Sequence, residues 1–175
     1  MNQQVGTQRE ACAECGFVWE DLDLEELRAR LVPASARLAE VFSSGDSRLL
    51  ERPSPDVWSP IEYGSHVRDV LLNLRDRVVV GLGEDNPSPK PMYGTLRVDR
   101  GMYARTGPAE LSTDLTVSAR LFDQTLSTIT APDAERPIFY GWPRPATRTL
   151  LWVAAQALHE VEHHLDDIER TFSST

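Results

Sequence analysis

Apolar residues return at helical spacing in four stretches of this chain, and no stretch shows a convincing strand pattern. The first begins near Asp23 and sets Leu24, Leu27, Leu31, Leu38 and Val41 along one side, the recurrence expected of an amphipathic helix. Pro33 falls inside it. Proline lacks the amide hydrogen and collides with the preceding turn, so the pattern predicts a kink or a break there. Ser43-Ser44-Gly45-Asp46 ends the stretch. The second start is the best marked: Ser59-Pro60-Ile61-Glu62 combines an N-cap serine, proline at the first helical position and glutamate at the third, a capping box. Tyr63, Val67, Val70, Leu71, Leu74 and Val78 form the stripe of a helix that runs to about Gly81, with His66 on its flank.

The third helix opens at Gly107-Pro108 and carries Leu111, Leu115, Phe122, Leu126 and Ile129. The fourth spans roughly Ala146 to Phe172. Two irregular segments separate these elements. Gly83 to Gly107 is rich in proline and glycine and long for a plain connection, so it is either a crossover or a substrate-binding loop. Ala131 to Pro145 holds Phe139, Tyr140, Trp142 and Arg144. Four amphipathic helices with one long connection between the second and third predict an all-α fold, a four-helix bundle with a crossover. The organisation expected is an N-terminal segment over residues 1–22, polar and loose up to Glu10, followed by the bundle over 23–175.

With 175 residues, 41% hydrophobic and 26% charged, the chain can bury a core as one globular domain. Its net charge of −9 and the absence of a basic face argue against nucleic acid or an anionic membrane as a partner. No apolar run is long enough to span a bilayer, and Met1-Asn2-Gln3-Gln4 offers no signal-peptide core, which points to the cytoplasm. A small-molecule substrate is the partner class that remains.

The candidate chemistry is concentrated near the C-terminus. Three of the four histidines lie in His159-Glu160-Val161-Glu162-His163-His164-Leu165-Asp166-Asp167-Ile168, and the fourth is His66. On a helix the stretch carries two interleaved i, i+4 pairs. With Glu160 set at zero, His164 falls at ~40°, within the edge of the apolar stripe that holds Val153, Ala157, Val161 and Ile168, whereas His159 and His163 fall at ~−100° and ~−60°, beside Trp152. An i, i+4 pair projects two side chains to one side, close enough to hold one cation. His66, Glu160 and His164 together supply two imidazoles and one carboxylate, leaving an open position on zinc or iron. A metal so held lowers the pKa of a bound thiol or water and makes a nucleophile at neutral pH. Because His66 is early in its helix and Glu160 late in the other, the second and fourth helices must run antiparallel.

These residues carry a family resemblance. Trp58-Ser59 with His66 eight residues after the tryptophan resembles the second helix of the DinB/YfiT-like superfamily. Glu160-Val161-x-x-His164-x-x-Asp167-Ile168 is similar to the pattern E-V-x-x-H-x-x-D-L of mycothiol-dependent maleylpyruvate isomerases. The resemblance spans roughly Leu24 to Phe172. It implies a bundle of up-down-down-up order, a metal (zinc first, iron or nickel as alternatives) on the residues matching His66, Glu160 and His164, a low-molecular-weight thiol such as mycothiol as cofactor, and no DNA binding. The chain departs from the isomerases in its cysteines, in His159 and His163, and in ending just past the fourth helix.

Cys12-Ala13-Glu14-Cys15-Gly16 holds both cysteines. In a reducing compartment this spacing favours a metal knuckle or a redox pair over a structural disulfide. One knuckle supplies two of the four ligands usual for zinc, so the rest come from elsewhere in the chain, from a second copy in a homodimer, or not at all. His159 and His163 are a candidate pair. They would close a Cys2His2 structural site and fasten Trp19 onto the outer face of the fourth helix beside Trp152. Otherwise they are solvent-facing, or join His66 in its site. Tyr103 and Arg105, with Tyr140, Trp142, Arg144 and Arg148, are candidates to line a pocket for an anionic substrate, and Asp167 to orient a ligand from behind. Two function classes follow: a metal-dependent enzyme activating a thiol for transfer to, or isomerisation of, a small electrophile, and a non-catalytic metal-binding bundle acting as a stress-response or interaction module.

Overall fold

The computed structural model describes residues 10–141 and 145–173. The expectations for residues 1–9, Trp142 and Arg144 lie outside the described residues. Four long helices dominate: α1 (Leu24–Phe42), α2 (Pro60–Gly83), α4 (Pro108–Leu126) and α6 (Leu150–Ser173), with short helices α3 (Gly94–Asp99) and α5 (Ala131–Ala134) between them. None of the helices described is long and apolar enough to cross a membrane.

Local signals set the ends. The Asp23 carboxylate accepts the Glu26 N–H at 2.8 Å and starts α1, since helix N-termini leave N–H groups that a side-chain oxygen can satisfy. At α2 the Glu62 carboxylate accepts the Ser59 N–H at 2.9 Å and is clamped by Arg52 at 2.6 and 2.7 Å. Pro33 does not break α1. Leu27, Leu31 and Leu38 on its inner face are fully buried on both sides of the proline, and that packing outweighs the hydrogen bond proline removes.

Side-chain pairs fix the directions. Arg30 with Glu162 and Arg37 with Glu169 run α1 parallel to α6. Arg28 with Asp123 and Ser43 with Ser112 run α1 antiparallel to α4. Arg68 reaches Asp114, so α2 lies parallel to α4. Gly81 at the end of α2 meets Leu150 at the start of α6, while His66 meets His164, so those two are antiparallel. The order is up-down-down-up, and the parallel pair α2 and α4 requires the crossover. Arg77 donates to the Lys90 carbonyl at 2.9 Å, and Arg97 of α3 pairs with Asp69 of α2, fastening that crossover to the bundle. A tight approach also matters: a Cβ at Gly64 would lie 2.4 Å from the Phe42 ring and 2.8 Å from Leu111, so glycine lets α1, α2 and α4 close at the level of the histidines.

One feature differs from expectation. Residues 137–140 and 146–149 form an antiparallel hairpin, β1 (Pro137–Tyr140) with β2 (Ala146–Thr149), pairing Pro137 with Thr149 and Tyr140 with Ala146. Hence α6 begins at Leu150 rather than Ala146. Beyond the stretch expected to be loose, Phe17, Trp19 and Leu22 are buried in the same core cluster as Val153, Leu158 and Val161.

Candidate metal centre

His66, one and a half turns into α2, faces Glu160 and His164 on α6. Its Nε2 lies 3.2 Å from Glu160 Oε2, and His164 Nε2 lies 3.2 Å from the same oxygen. The two imidazoles meet edge to face at 5.2 Å between centroids. With bonds near 2.0–2.2 Å, ligand atoms around one ion sit about 2.8–3.6 Å apart in octahedral or tetrahedral geometry, a range both carboxylate–imidazole spacings meet, and all three donor atoms lie within 4.8 Å of one another. Each side chain is 14–20% exposed, so the cluster is largely shielded yet keeps some contact with solvent.

The surroundings orient these donors. Glu160 Oε1 accepts from the Gln156 amide at 2.6 Å, and Asp167 Oδ2 takes His164 Nδ1 at 2.8 Å, turning Nε2 toward Glu160. A carboxylate behind a ligating histidine is the usual means of fixing its tautomer. Burial alone would raise the Glu160 pKa, but His164 and His66 outweigh it and hold the carboxyl well below its ordinary 4.5. Burial alone would lower His164, yet Asp167 and Glu160 push it up to about 9. The pocket is built for positive charge. Trp58 stands against His66 at 5.5 Å and Tyr63 against His164 at 5.1 Å, forming an aromatic rim. On the α3 side a Cβ at Gly94 would lie 3.1 Å from His66 Nδ1, so the crossover closes tightly over that imidazole.

A second cluster lies about 100° around α6. Cys12, Cys15, His159 and His163 offer ligand atoms all within 4.8 Å of one another, and Cys12 Sγ is 3.9 Å from His163 Nδ1. Both cysteines are free thiols. Burial pushes the Cys15 thiol up to about 11, against a lowering hydrogen bond from the Phe17 backbone and with help from Cys12. Burial holds His159 down to about 4, against Glu160, so its imidazole is neutral near pH 7. Asp167 Oδ2 also lies 3.6 Å from His163 Nε2, touching both clusters.

His159 and His163 therefore turn toward the N-terminal segment, and His66 sits with Glu160 and His164. His159 is 8% exposed, far from the solvent-facing alternative. Trp19 does lie beside Trp152, stacked at 5.8 Å. The substrate residues fare differently. Tyr103 is 1% exposed, packed in the core with no face for a ligand, and Arg105 faces solvent. Arg148 is spent on Glu10 at 2.7 Å and on the Trp152 ring, and Tyr140 packs against Trp152. A surface hollow lies between α1 and α4 around Arg28, Val32 and Asp123, away from both clusters. Gln156 was not singled out in the sequence; its only signal was a glutamate four residues on, at helical i, i+4 spacing.

Comparison with known proteins agrees with this architecture. The profile of the DinB superfamily matches residues 18–168. No curated protein matches the chain. Among solved structures, YfiT from Bacillus subtilis, "a probable metal-dependent hydrolase with an unusual four-helix bundle topology", superposes with a TM-score of 0.73 at 17% identity, covering 95% of this chain and 93% of that one.

Proposed function

Because the chain belongs to the DinB superfamily, we propose that His66, Glu160 and His164 hold a divalent cation, zinc first, in an enzyme that activates a low-molecular-weight thiol for transfer to, or isomerisation of, a small electrophile. The observation that carries this reading is the convergence of three donor atoms, 3.2 Å across each carboxylate–imidazole edge, from two helices. Three protein ligands leave a position for a small molecule, and a bound cation there lowers the pKa of a thiol or water into the neutral range.

The chain's own residues set up that chemistry. Asp167 holds His164 with Nε2 presented inward, Gln156 holds Glu160 from the opposite side, and Trp58 and Tyr63 shield the donors with an aromatic rim. The rim suits an organic thiol or electrophile better than a bare anion, since among the described residues no arginine is paired with these three donors. A second reading, hydrolysis with water as nucleophile, rests on the likeness to YfiT, a probable metal-dependent hydrolase.

The test is turnover of small electrophiles by the zinc-loaded protein, with and without a thiol such as mycothiol. The proposal expects thiol-dependent turnover that vanishes on chelation and in His66→Ala. Chelator-sensitive hydrolysis without any thiol would select the second reading. Metal bound at the histidines with no turnover of either kind would instead make the chain a non-catalytic binding module.

A further inference from the structure

The strongest feature outside the proposed catalytic centre is the cysteine cluster. We propose that Cys12, Cys15, His159 and His163 form a second, closed metal site for zinc that fastens the N-terminal segment to α6. This inference does not depend on the activity assigned to the other centre. The match to the DinB superfamily begins at residue 18, so the two thiols come from a segment outside it and the two imidazoles from a helix inside it.

Geometry carries the argument. Bonds of about 2.3 Å to sulfur and 2.0–2.1 Å to nitrogen place tetrahedral ligands roughly 3.3–3.8 Å apart. All four atoms lie within 4.8 Å, and Cys12 Sγ to His163 Nδ1 is already 3.9 Å, so no pair need close by more than about 1.0–1.5 Å to complete the tetrahedron. The knuckle is shaped for it. Gly16 at φ +75° turns the chain, its N–H reaches the Cys12 carbonyl at 2.9 Å, and the Cys12 N–H reaches the Phe17 carbonyl at 2.8 Å. Both ring nitrogens of His159 are buried and have no hydrogen-bond partner among the described residues. A buried polar atom left unpaired is costly, and a metal bond satisfies one of these two. His163 presents Nδ1 to the thiols while Nε2 faces Glu14 at 3.4 Å and Asp167 at 3.6 Å, the arrangement in which carboxylates orient a ligating imidazole.

Charge and access agree. Two thiolates neutralise a divalent ion, so the complex can sit under Phe17 and Trp19, whose rings cover His159 at 5.3 and 4.8 Å. Four protein ligands leave no open position, which makes the site structural. Its closure also has a reach. Trp19 follows the knuckle directly and donates to Gln156 at 2.8 Å, and Gln156 donates to Glu160. The second site thus anchors the strap that presses on the ligand carboxylate of the first.

Zinc content per chain, measured after loading with excess zinc and gel filtration, tests this against a His66→Ala/His164→Ala background that removes the other centre. The proposal expects one zinc in that background and none once Cys12→Ser and Cys15→Ser are added. Should the cysteine variant fail to fold, titration of the native background protein with a thiol-specific mercurial reads the same bond: two thiols consumed should release one zinc. Cobalt substitution should add thiolate-to-cobalt charge transfer in the near ultraviolet. Absence of any cysteine-dependent zinc, release of no zinc as the thiols react, or a Cys12–Cys15 disulfide in the native protein would each overturn the proposal.

Discussion

Replacing Gln156 with leucine should damage both ends of the strap at once. The amide is 5% exposed, accepts the Trp19 indole N–H at 2.8 Å and donates to Glu160 at 2.6 Å. Leucine preserves volume but strands a buried indole N–H and removes a bond to a carboxylate. An unsatisfied neutral donor costs about 1–3 kcal/mol and a lost bond to a charged group about 1.5–3 kcal/mol; the greater apolarity of leucine returns about 1 kcal/mol of this. The net loss is about 1.5–5 kcal/mol, which for a domain of this size lowers Tm by roughly 3–20 °C. Glu160 keeps its contacts with His66 and His164, but loosening it from behind should weaken metal affinity about 10–100-fold. Scanning calorimetry of the chelated protein reads the first effect and competitive zinc titration the second. A cycle with Trp19→Phe separates the link from the two ends: because both changes break one bond, the double variant should lose less than the sum by about 1 kcal/mol or more. Additive losses with unchanged zinc affinity would show that Gln156 holds neither residue.

Two further outcomes follow. In chelated protein, His164 titrates near 9 rather than at its ordinary 6.5, so its contribution to stability is complete below pH 6.5 and is lost as pH rises through 9; Asp167→Asn should flatten this loss in pH-dependent thermal melts, and an unchanged profile would remove Asp167 from the account. Gly64→Ala inserts a methyl 2.4 Å from the Phe42 ring and should cost about 1–3 kcal/mol in denaturant unfolding by overpacking, and a neutral result would mean that α1 and α2 do not meet as closely as described.

How much of this was legible beforehand depended on length and on neighbours. The long helices announced themselves because Leu27, Leu31 and Leu38, or Val153, Ala157 and Val161, repeat over many turns. The hairpin did not, since four-residue strands such as Ala146–Thr149 are too short for alternation to be read. Neither was α3 visible, six residues inside a glycine- and proline-rich crossover. At the site, helical spacing put Glu160 with His164 and His159 with His163. The helical angles also turned His159 away from the apolar stripe of its helix. What a wheel cannot show is that a distant segment covers the outer face, so the 8% exposure of His159 came from Phe17 and Trp19 rather than from the stripe. Tyr103 shows the same limit: an aromatic in a loop reads as a binding residue, and the neighbours that leave it 1% exposed are not visible in the sequence.

The central claim is that one cation sits between His66, Glu160 and His164, and anomalous diffraction addresses it directly. Crystals of zinc-loaded protein, measured on both sides of the zinc absorption edge, should show a peak about 2.0–2.2 Å from His66 Nε2, His164 Nε2 and Glu160 Oε2. No peak within bonding distance of those three atoms, in crystals whose zinc content is confirmed, would contradict the account.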